Sequence, residues 1–551
     1  MSMSRMVAFL CSGLIFAAPA HAQKFLHDDP IVEDRDQLPI DMPAVQEVSP
    51  SYDAIENLFG GKGAEALVSA TNVNTLGEVP DSTWFTNRIG VREMTISEIV
   101  QGGDTTAGPD TSGILTIEFA GLGVIGEGLA VRDRRHRLYY IKFDPTGLAN
   151  LPSGADMITS KFLHAIGYNV FSASLAYVDA ESLRIAPGAY IRRLGDTSRV
   201  VTEEFVRILL EGAERGRDGL YRVSANEIPP GEYVGKFRYY GTRSDDPNDL
   251  FAHENRRELR ALRVFAAWLN HTNCNAATTI DFYEGGDDGG FLRHYLVDFS
   301  TSLGSGWDIE SGRMIPKELR AGNEYLYWDN TSASIKTAAS LGLWERSWMK
   351  ITYPYPKYSE VGRIEADFFE PQAWKPNYPN VAFDQMLPED AFWAAKILAR
   401  FSNQAIRAVV ATAQYADAEA ESFLAETLIR RKEKILDYYF RQVNPLDEFS
   451  LDGHTMSFVH LGEKQGIGKG SSYAYEWFSF DNNTGKTVPI DERVETESAR
   501  IPLPVVSSDY LMVAIETLDD EVPQWQQHVR VFVRMNPVPA VVGIERDGVA
   551  R

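Results

Sequence analysis

Hydrophobic residues recur along this chain with two different periods, and the changes of period divide it. Over residues 254–270 the apolar positions Leu259, Leu262, Phe265, Ala266 and Leu269 fall three or four apart, with Arg and Glu between them. That spacing predicts a helix with one buried and one solvated face. Residues 155–166, closed by Gly167, share it, as do 391–414 and 418–440, the last carrying the basic run Arg430, Arg431 and Lys432. Alternating patterns predict strands at 114–119, 129–133 and 138–143, the latter two joined by the charged turn Arg134, Arg135 and His136. Further strands are expected near 170–178 and 190–193. Residues 279–283 and 294–299 read as a hairpin closed by a Gly/Asp turn at 285–290.

Residues 305–385 follow neither period and are crowded with Trp, Tyr and Pro. Beyond Pro445 the texture turns to short alternating runs at 455–461, 473–480, 510–516 and 528–533, which predict a separate β-sandwich-like module. Residues 23–80 are polar and acidic and read as an arm with little core. The organisation expected is therefore an arm and lead-in segment over 23–110, a strand-rich part over 111–252, a mainly helical part over 253–445 and a β module over 446–551. The fold class is α+β.

Composition changes this picture at the N-terminus. Residues 6–18 are apolar apart from Ser12 and Gly13, follow Arg5, and lead to Ala20-His21-Ala22. This is the pattern of a Sec-type signal peptide over 1–22, with cleavage expected after Ala22 and a periplasmic or secreted destination. The run is short for a membrane anchor, and no transmembrane segment is expected after cleavage. Loss of Cys11 would leave Cys274 without a disulfide partner, so stability must come from core burial. Acidic residues number 77 against 54 basic ones, and the net charge of −23 repels phosphate backbones and argues against nucleic-acid partners. Hydrophobic residues at 44% and charged residues at 24% exclude a disordered, collagen-like or coiled-coil chain.

Three clusters carry candidate chemistry. Gly121-x-Gly123-x-x-Gly126 follows a predicted strand, but the chain then continues as strand, which argues against a dinucleotide-binding turn. The alternative is a glycine-rich hairpin over phosphates with a lysine on a strand soon after it. Lys142 stands in that place, although a strand-end lysine can also simply snorkel to water. Asp156, on the helix that follows, is placed either to pair with Lys142 or to favour the helix N-terminus. The third cluster is Trp268-Leu-Asn-His271-Thr-Asn273-Cys-Asn275-Ala-Ala-Thr278, between a long helix and the hairpin that ends in Leu296-Val-Asp298-Phe-Ser.

In the order and spacing of these parts, roughly residues 110–440 resemble the protein-kinase-like superfamily, closest in flavour to the atypical bacterial branch containing the toxin kinase HipA and the spore-coat kinase CotH. The resemblance implies a two-lobed kinase-like domain ahead of the β module. It implies that Gly121, Gly123 and Gly126 cover a nucleotide's phosphates and that Lys142 contacts them with Asp156 as its partner. Asp298 would hold Mg²⁺, with Mn²⁺ the alternative. ATP is then the implied cofactor, and the activity is phosphoryl or nucleotidyl transfer to an envelope protein or glycan.

The chain departs from the pattern twice. Asn273 stands where an Asp would accept the substrate hydroxyl's proton, and Thr278 where an Asn would bind a second metal. An amide is no base, and loss of the carboxylate costs on the order of 10²–10⁴ in rate. Asp281 is the substitute considered for the catalytic role. Two functions stay open: a transferase, and a catalytically inactive pseudokinase that binds or scaffolds through its cleft or β module. Cys274 would be a nucleophile only with His271 as base, and is otherwise a small buried filler. Gly462 to Gly470 is spaced wrongly for a phosphate loop and reads as a hairpin loop. Asp287 and Asp288 read as a solvated hairpin tip. The aromatics at 325–378, Trp374 among them, read as a loop-rich core or a sugar-stacking platform.

Overall fold

The computed structural model describes residues 23–60, 67–104, 106–121, 128–193, 196–286, 288–310, 313–316, 322–325, 335–336, 338–340, 343–351, 357–468 and 472–547. The expected signal peptide, Gly123, Gly126 and Asp287 lie outside these residues. Helices and mainly antiparallel strands occur in separate runs, the α+β class.

Two short helices, α1 (Pro50–Phe59) and α2 (Ile96–Gln101), precede a seven-stranded sheet. Its strands are β1 (Leu115–Ala120), β2 (Leu129–Arg132), β3 (Leu138–Phe143), β4 (Ser172–Val178), β5 (Leu183–Arg193), β6 (Asp196–Val200) and β7 (Tyr221–Glu227), in the order β4-β7-β3-β2-β1-β5-β6. β5 starts well before the expected position 190 because Pro187 and Gly188 hide its alternation. The register against β1 jumps there, from Ile117 opposite Ile185 to Phe119 opposite Tyr190. Tyr139 and Ile141 of β3 join a cluster with Phe205, Val206, Leu209 and Leu210 of α4 (Glu203–Glu211). Tyr140 and Lys142 alternate to the other face.

Helix α3 (Leu151–Ile166) packs against β4 and β7 and is buried on almost every side. It begins at Leu151, four residues before the expected start at 155. Pro152 is tolerated in its first turn, where the missing N–H had no partner to lose. Asp156 therefore lies in the second turn, inside the helix, not at its N-terminus.

The next part contains β8 (Glu232–Gly235), α5 (Arg257–Leu269), β9 (Thr279–Gly286) and β10 (Gly289–Leu296), with strand order β10-β9-β8. The β9–β10 hairpin forms as expected and pairs Asp281 with His294. Helix α5 departs from expectation, because its charged face is buried too. Arg257 donates to Asp390 at 2.9 Å and Arg260 meets the same carboxylate at 3.4 Å, with Arg260 and Asp390 both 0% exposed. A charge that finds a partner can be enclosed by neighbouring helices, so the sequence pattern alone mistakes it for solvated.

A small hairpin, β11 (Trp307–Glu310) and β12 (Arg313–Pro316), is followed by α6 (Val381–Asp384), α7 (Pro388–Leu398), α8 (Asn403–Ala411) and α9 (Ala418–Phe440). The single helix expected over 391–414 is two. Ser402 caps α8 by accepting from the Ala405 N–H at 3.0 Å, and the chain turns there. Trp374 and Tyr378 are buried, which gives the aromatic segment its core role at these positions.

The last part holds β13 (Leu446–Asp452), β14 (Thr455–His460), α10 (Leu461–Lys464), β15 (Ser472–Phe480), β16 (Thr487–Pro489), β17 (Val494–Thr496), β18 (Arg500–Pro502), β19 (Tyr510–Leu518), β20 (Val529–Arg534) and β21 (Ala540–Arg546). One sheet runs β13-β14-β18 and the other β16-β15-β19-β20-β21, with β17 also on β15, and one buried cluster draws on both. Residues 461–468 form no plain hairpin loop. They contain α10, and Leu461 and Ile467 join Trp525 in the main core. The N-terminal arm is mostly exposed but pinned. Phe25 packs on Phe532 at 5.1 Å between ring centres, Ile40 bridges to Gly290, and Gln46 bridges to Gly235. Among the described residues no helix is long and apolar enough to cross a membrane.

Asp390→Ala would leave Arg257 and Arg260 buried beside a lost carboxylate. It is expected to lower the unfolding free energy by about 3–5 kcal/mol, read by urea denaturation of the whole chain. A loss near zero would show that the arginines are held by their carbonyl contacts instead.

Candidate functional site

The seven-stranded sheet, α3 and the β9–β10 hairpin meet at Lys142. Its ammonium lies 3.1 Å from Asp156 and 3.0 Å from Asp298. Strand alternation aims Lys142 off β3 toward α3, and the second turn of α3 presents Asp156 to it. Asp156 is 0% exposed and also accepts from Asn226 of β7 at 2.8 Å and from the Phe299 N–H at 3.0 Å. One carboxylate thus ties together a strand lysine, a neighbouring strand and the segment after the hairpin. Asp298 takes a left-handed backbone conformation at φ 64°, which Asp tolerates better than most side chains, and accepts from Ser300 at 2.8 Å. Burial by itself would push the Lys142 pKa down. The two carboxylates outweigh it and hold the ammonium above the ordinary lysine range.

Beside this trio lies a small cavity of about 30 Å³, lined by Phe171, Ile280, Val297 and Phe299 together with Lys142, Asn226 and Asp298. Gly121 ends β1 at φ 94°, and a Cβ there would lie 2.3 Å from the Arg192 carbonyl, so this turn requires glycine. Its N–H reaches the Gly128 carbonyl at 3.3 Å, which closes the neck of the β1–β2 connection.

The loop after α5 is fixed from within. Asn270 ends the helix in the left-handed region and accepts from Trp374 at 3.0 Å. His271 is enclosed, its Nδ1 2.9 Å from Ser302, and burial lowers its pKa to about 4 in spite of Asp298 and Asp156. The Asn273 side-chain oxygen accepts from Asn275 at 2.7 Å and from Asn377 at 3.4 Å, while its buried Nδ2 has no hydrogen-bond partner among the described residues. The Thr278 hydroxyl is 2.7 Å from the Asn273 carbonyl and 3.0 Å from that of Asn275, so it braces the loop. Cys274 is buried with its thiol on the His271 carbonyl, and burial raises its pKa, which leaves it the filler and not a nucleophile.

The chain matches no protein-family model, no curated protein and no solved structure.

Asp281 does not join this cleft. Ile280 lines the cavity, and one step along β9 turns the next side chain to the opposite face. There Asp281 pairs with His294 at 2.7 Å and Arg243 at 3.1 Å. Burial alone would raise its pKa, but these partners hold it below the usual carboxylate value. It is therefore a poor substitute base. The same network holds the lead-in segment Asp81-Ser-Thr-Trp-Phe-Thr-Asn-Arg88. Trp84 stacks on His294 at 3.6 Å and receives Arg256 on its ring at 4.4 Å, so this segment is a structural wedge.

Sequence reasoning missed Asn226, which stands on the polar side of the alternation Tyr221-Arg-Val-Ser-Ala-Asn226 and so carries no signal of its own. It also missed Asp53 of α1, a buried carboxylate held by Tyr378 at 2.8 Å and packed near the 276–278 turn. Among the described residues no group of three or more His, Cys, Asp or Glu is placed to hold a metal ion.

His271 sets a pH dependence. The unfolded imidazole takes up a proton near pH 6.5, whereas the folded one resists until about 4. The unfolded state thus binds more protons between these values, and stability falls on acidification by up to about 1.4 kcal/mol per pH unit from this group. Urea titrations from pH 7 to 4.5 are expected to show a smaller loss for His271→Gln than for the unmodified chain.

Proposed function

We propose that this chain is an exported, kinase-like protein that binds ATP with Mg²⁺, or with Mn²⁺ in its place. On this reading residues 111–252 form one lobe and 253–445 the other, with a β-sandwich module over 446–551 that engages an envelope protein or glycan. The observation that carries it is the convergence of two carboxylates on one buried strand lysine, one from the next helix and one from the segment after a hairpin. The expected signal peptide supports a periplasmic or secreted location.

The donor set fits a metal that arrives with a nucleotide. Mg²⁺ in such sites is commonly held by one or two carboxylates and the substrate's own phosphates, and Asp298 supplies a carboxylate beside the lysine that would meet those phosphates. The bound metal would neutralise charge on the phosphate oxygens. A cavity of about 30 Å³ has room for water but not for a purine, so binding requires the cleft to open and Lys142 to exchange part of its pairing with Asp298 for phosphate.

Asn273 favours a second reading, a pseudokinase that binds nucleotide without efficient transfer. It is 5% exposed and cannot take a proton from a hydroxyl. Its oxygen accepts from two amides while its own NH₂ lacks a partner among the described residues, so a carboxylate would suit the site at least as well.

Two measurements test these readings. ATP with Mg²⁺ is expected to raise the melting temperature of residues 23–551 by mass action, and Lys142→Ala and Asp298→Ala are expected to abolish the shift, each read against its own ligand-free value. No shift with any nucleotide would sink the proposal. Asn273→Asp is expected to raise phosphoryl-transfer turnover by about 10²-fold or more. An unchanged rate would favour the binding function.

A further inference from the structure

The trio around Lys142 carries one positive charge against two negative ones, so by itself it repels a phosphate chain. The loop that faces it offers no help. Residues 271–281 contain neither Lys nor Arg. A divalent metal carried in with the nucleotide would offset the trio's charge, but it leaves the outer phosphate with no side-chain cation from this loop, so any such cation comes from another part of the chain.

Lys236 reaches that loop. It directly follows β8, where its backbone N–H donates to the Gln46 carbonyl at 3.0 Å, and its ammonium donates to the Ala277 carbonyl at 2.6 Å. Ala277 precedes Thr278, whose carbonyl accepts from the Val297 N–H at 3.0 Å, one residue before Asp298. Lys236 is thereby fastened to the same turn that borders the metal-side carboxylate. A second cation stands opposite. The Arg192 guanidinium lies 3.8 Å over the Tyr233 ring of β8, and the Arg192 backbone abuts Gly121 at the neck of the β1–β2 connection. β8 thus carries Lys236 against the 276–278 turn and, through Tyr233, holds Arg192, whose backbone meets Gly121. Glu47 of the arm touches Tyr233 beside them, both its oxygens 3.1 Å from the hydroxyl, and acts on Lys236 through its charge.

We propose that Lys236 binds the terminal phosphate of a nucleoside triphosphate, assisted by Arg192, and supplies the cation that the 271–278 loop lacks. The ammonium is half-buried, and the groups that act on it electrostatically are Glu47, Asp298 and Arg192, all at this end of the cleft. Among its described hydrogen bonds, Ala277 takes one of three N–H donors, which leaves capacity for phosphate oxygens. Glu47 is then the resident anion that an incoming phosphate competes with. This inference rests on the nucleotide-binding reading above.

Calorimetric titration of residues 23–551 with ATP, ADP and AMP, each with Mg²⁺, separates the two. The unmodified chain is expected to bind ATP at least ten times more tightly than ADP. Lys236→Gln is expected to bring that ratio close to one with ADP affinity retained, and Glu47→Gln to tighten ATP. Lys142→Ala weakens both nucleotides. A ratio unchanged in Lys236→Gln, or an equal loss for ATP and ADP, overturns this assignment and leaves nucleotide binding standing. Absence of binding by the unmodified chain overturns both. A measurement without any variant gives the same decision. ATP is expected to slow amine-specific labelling of Lys236 severalfold where AMP does not, read peptide by peptide by mass spectrometry. Equal labelling under the two nucleotides overturns the assignment.

Discussion

A lysine ammonium enclosed by protein must be met by opposite charge, because the alternative is either neutralisation or a desolvated ion costing several kcal/mol. Lys142 meets that demand twice, with Asp156 and Asp298. The requirement fixes the register of β3, the burial of the second turn of α3 and the backbone conformation after β10. Asp156 then spends its remaining capacity on Asn226 and the Phe299 N–H, so the sheet and the hairpin cannot shift relative to α3 without breaking several bonds at once. A ligand that competes for Lys142 would loosen this knot.

The second constraint is the density of buried charge elsewhere. Arg256, Arg257 and Arg260 enter the core with Asp249 and Asp390 as counter-ions. Arg243 and His294 do the same for Asp281. Such pairs contribute little net stability compared with an apolar core of the same shape, but each is severe to break. They specify one arrangement of the helical part and lock the Trp84 wedge beneath the β9–β10 hairpin.

Much of this was legible from residue pattern. The alternation around Lys142, the helix bearing Asp156, the hairpin and the break after Pro445 all carry local signals that survive in the structure. What was not legible depended on distant partners. The charged face of α5 looks solvated until Asp390 is brought to it, from 130 residues away at Arg260. Asn273 reads as a lost base, and only Asn377 and Asn275 reveal an amide cluster in its place. Asp281 was misjudged because a single step along a strand reverses its direction. Lys236 gave no signal, since its relation to the 276–278 turn exists only after folding.

The arm imposes an order on assembly. Asn482 receives the Phe25 N–H at 2.8 Å across a sequence separation of 457 residues. Local contacts form early, and such distant ones only after the intervening chain has closed. A chain synthesised from its N-terminus can therefore complete its helices, sheets and charge clusters before its leading residues find their seat, which exists only once β15 and β20 are in place. The same arm pairs with β8 at Gln46 and brings Glu47 to Tyr233. The arm is thus held by β8 at Gln46 and, at Phe25, by the far end of the chain.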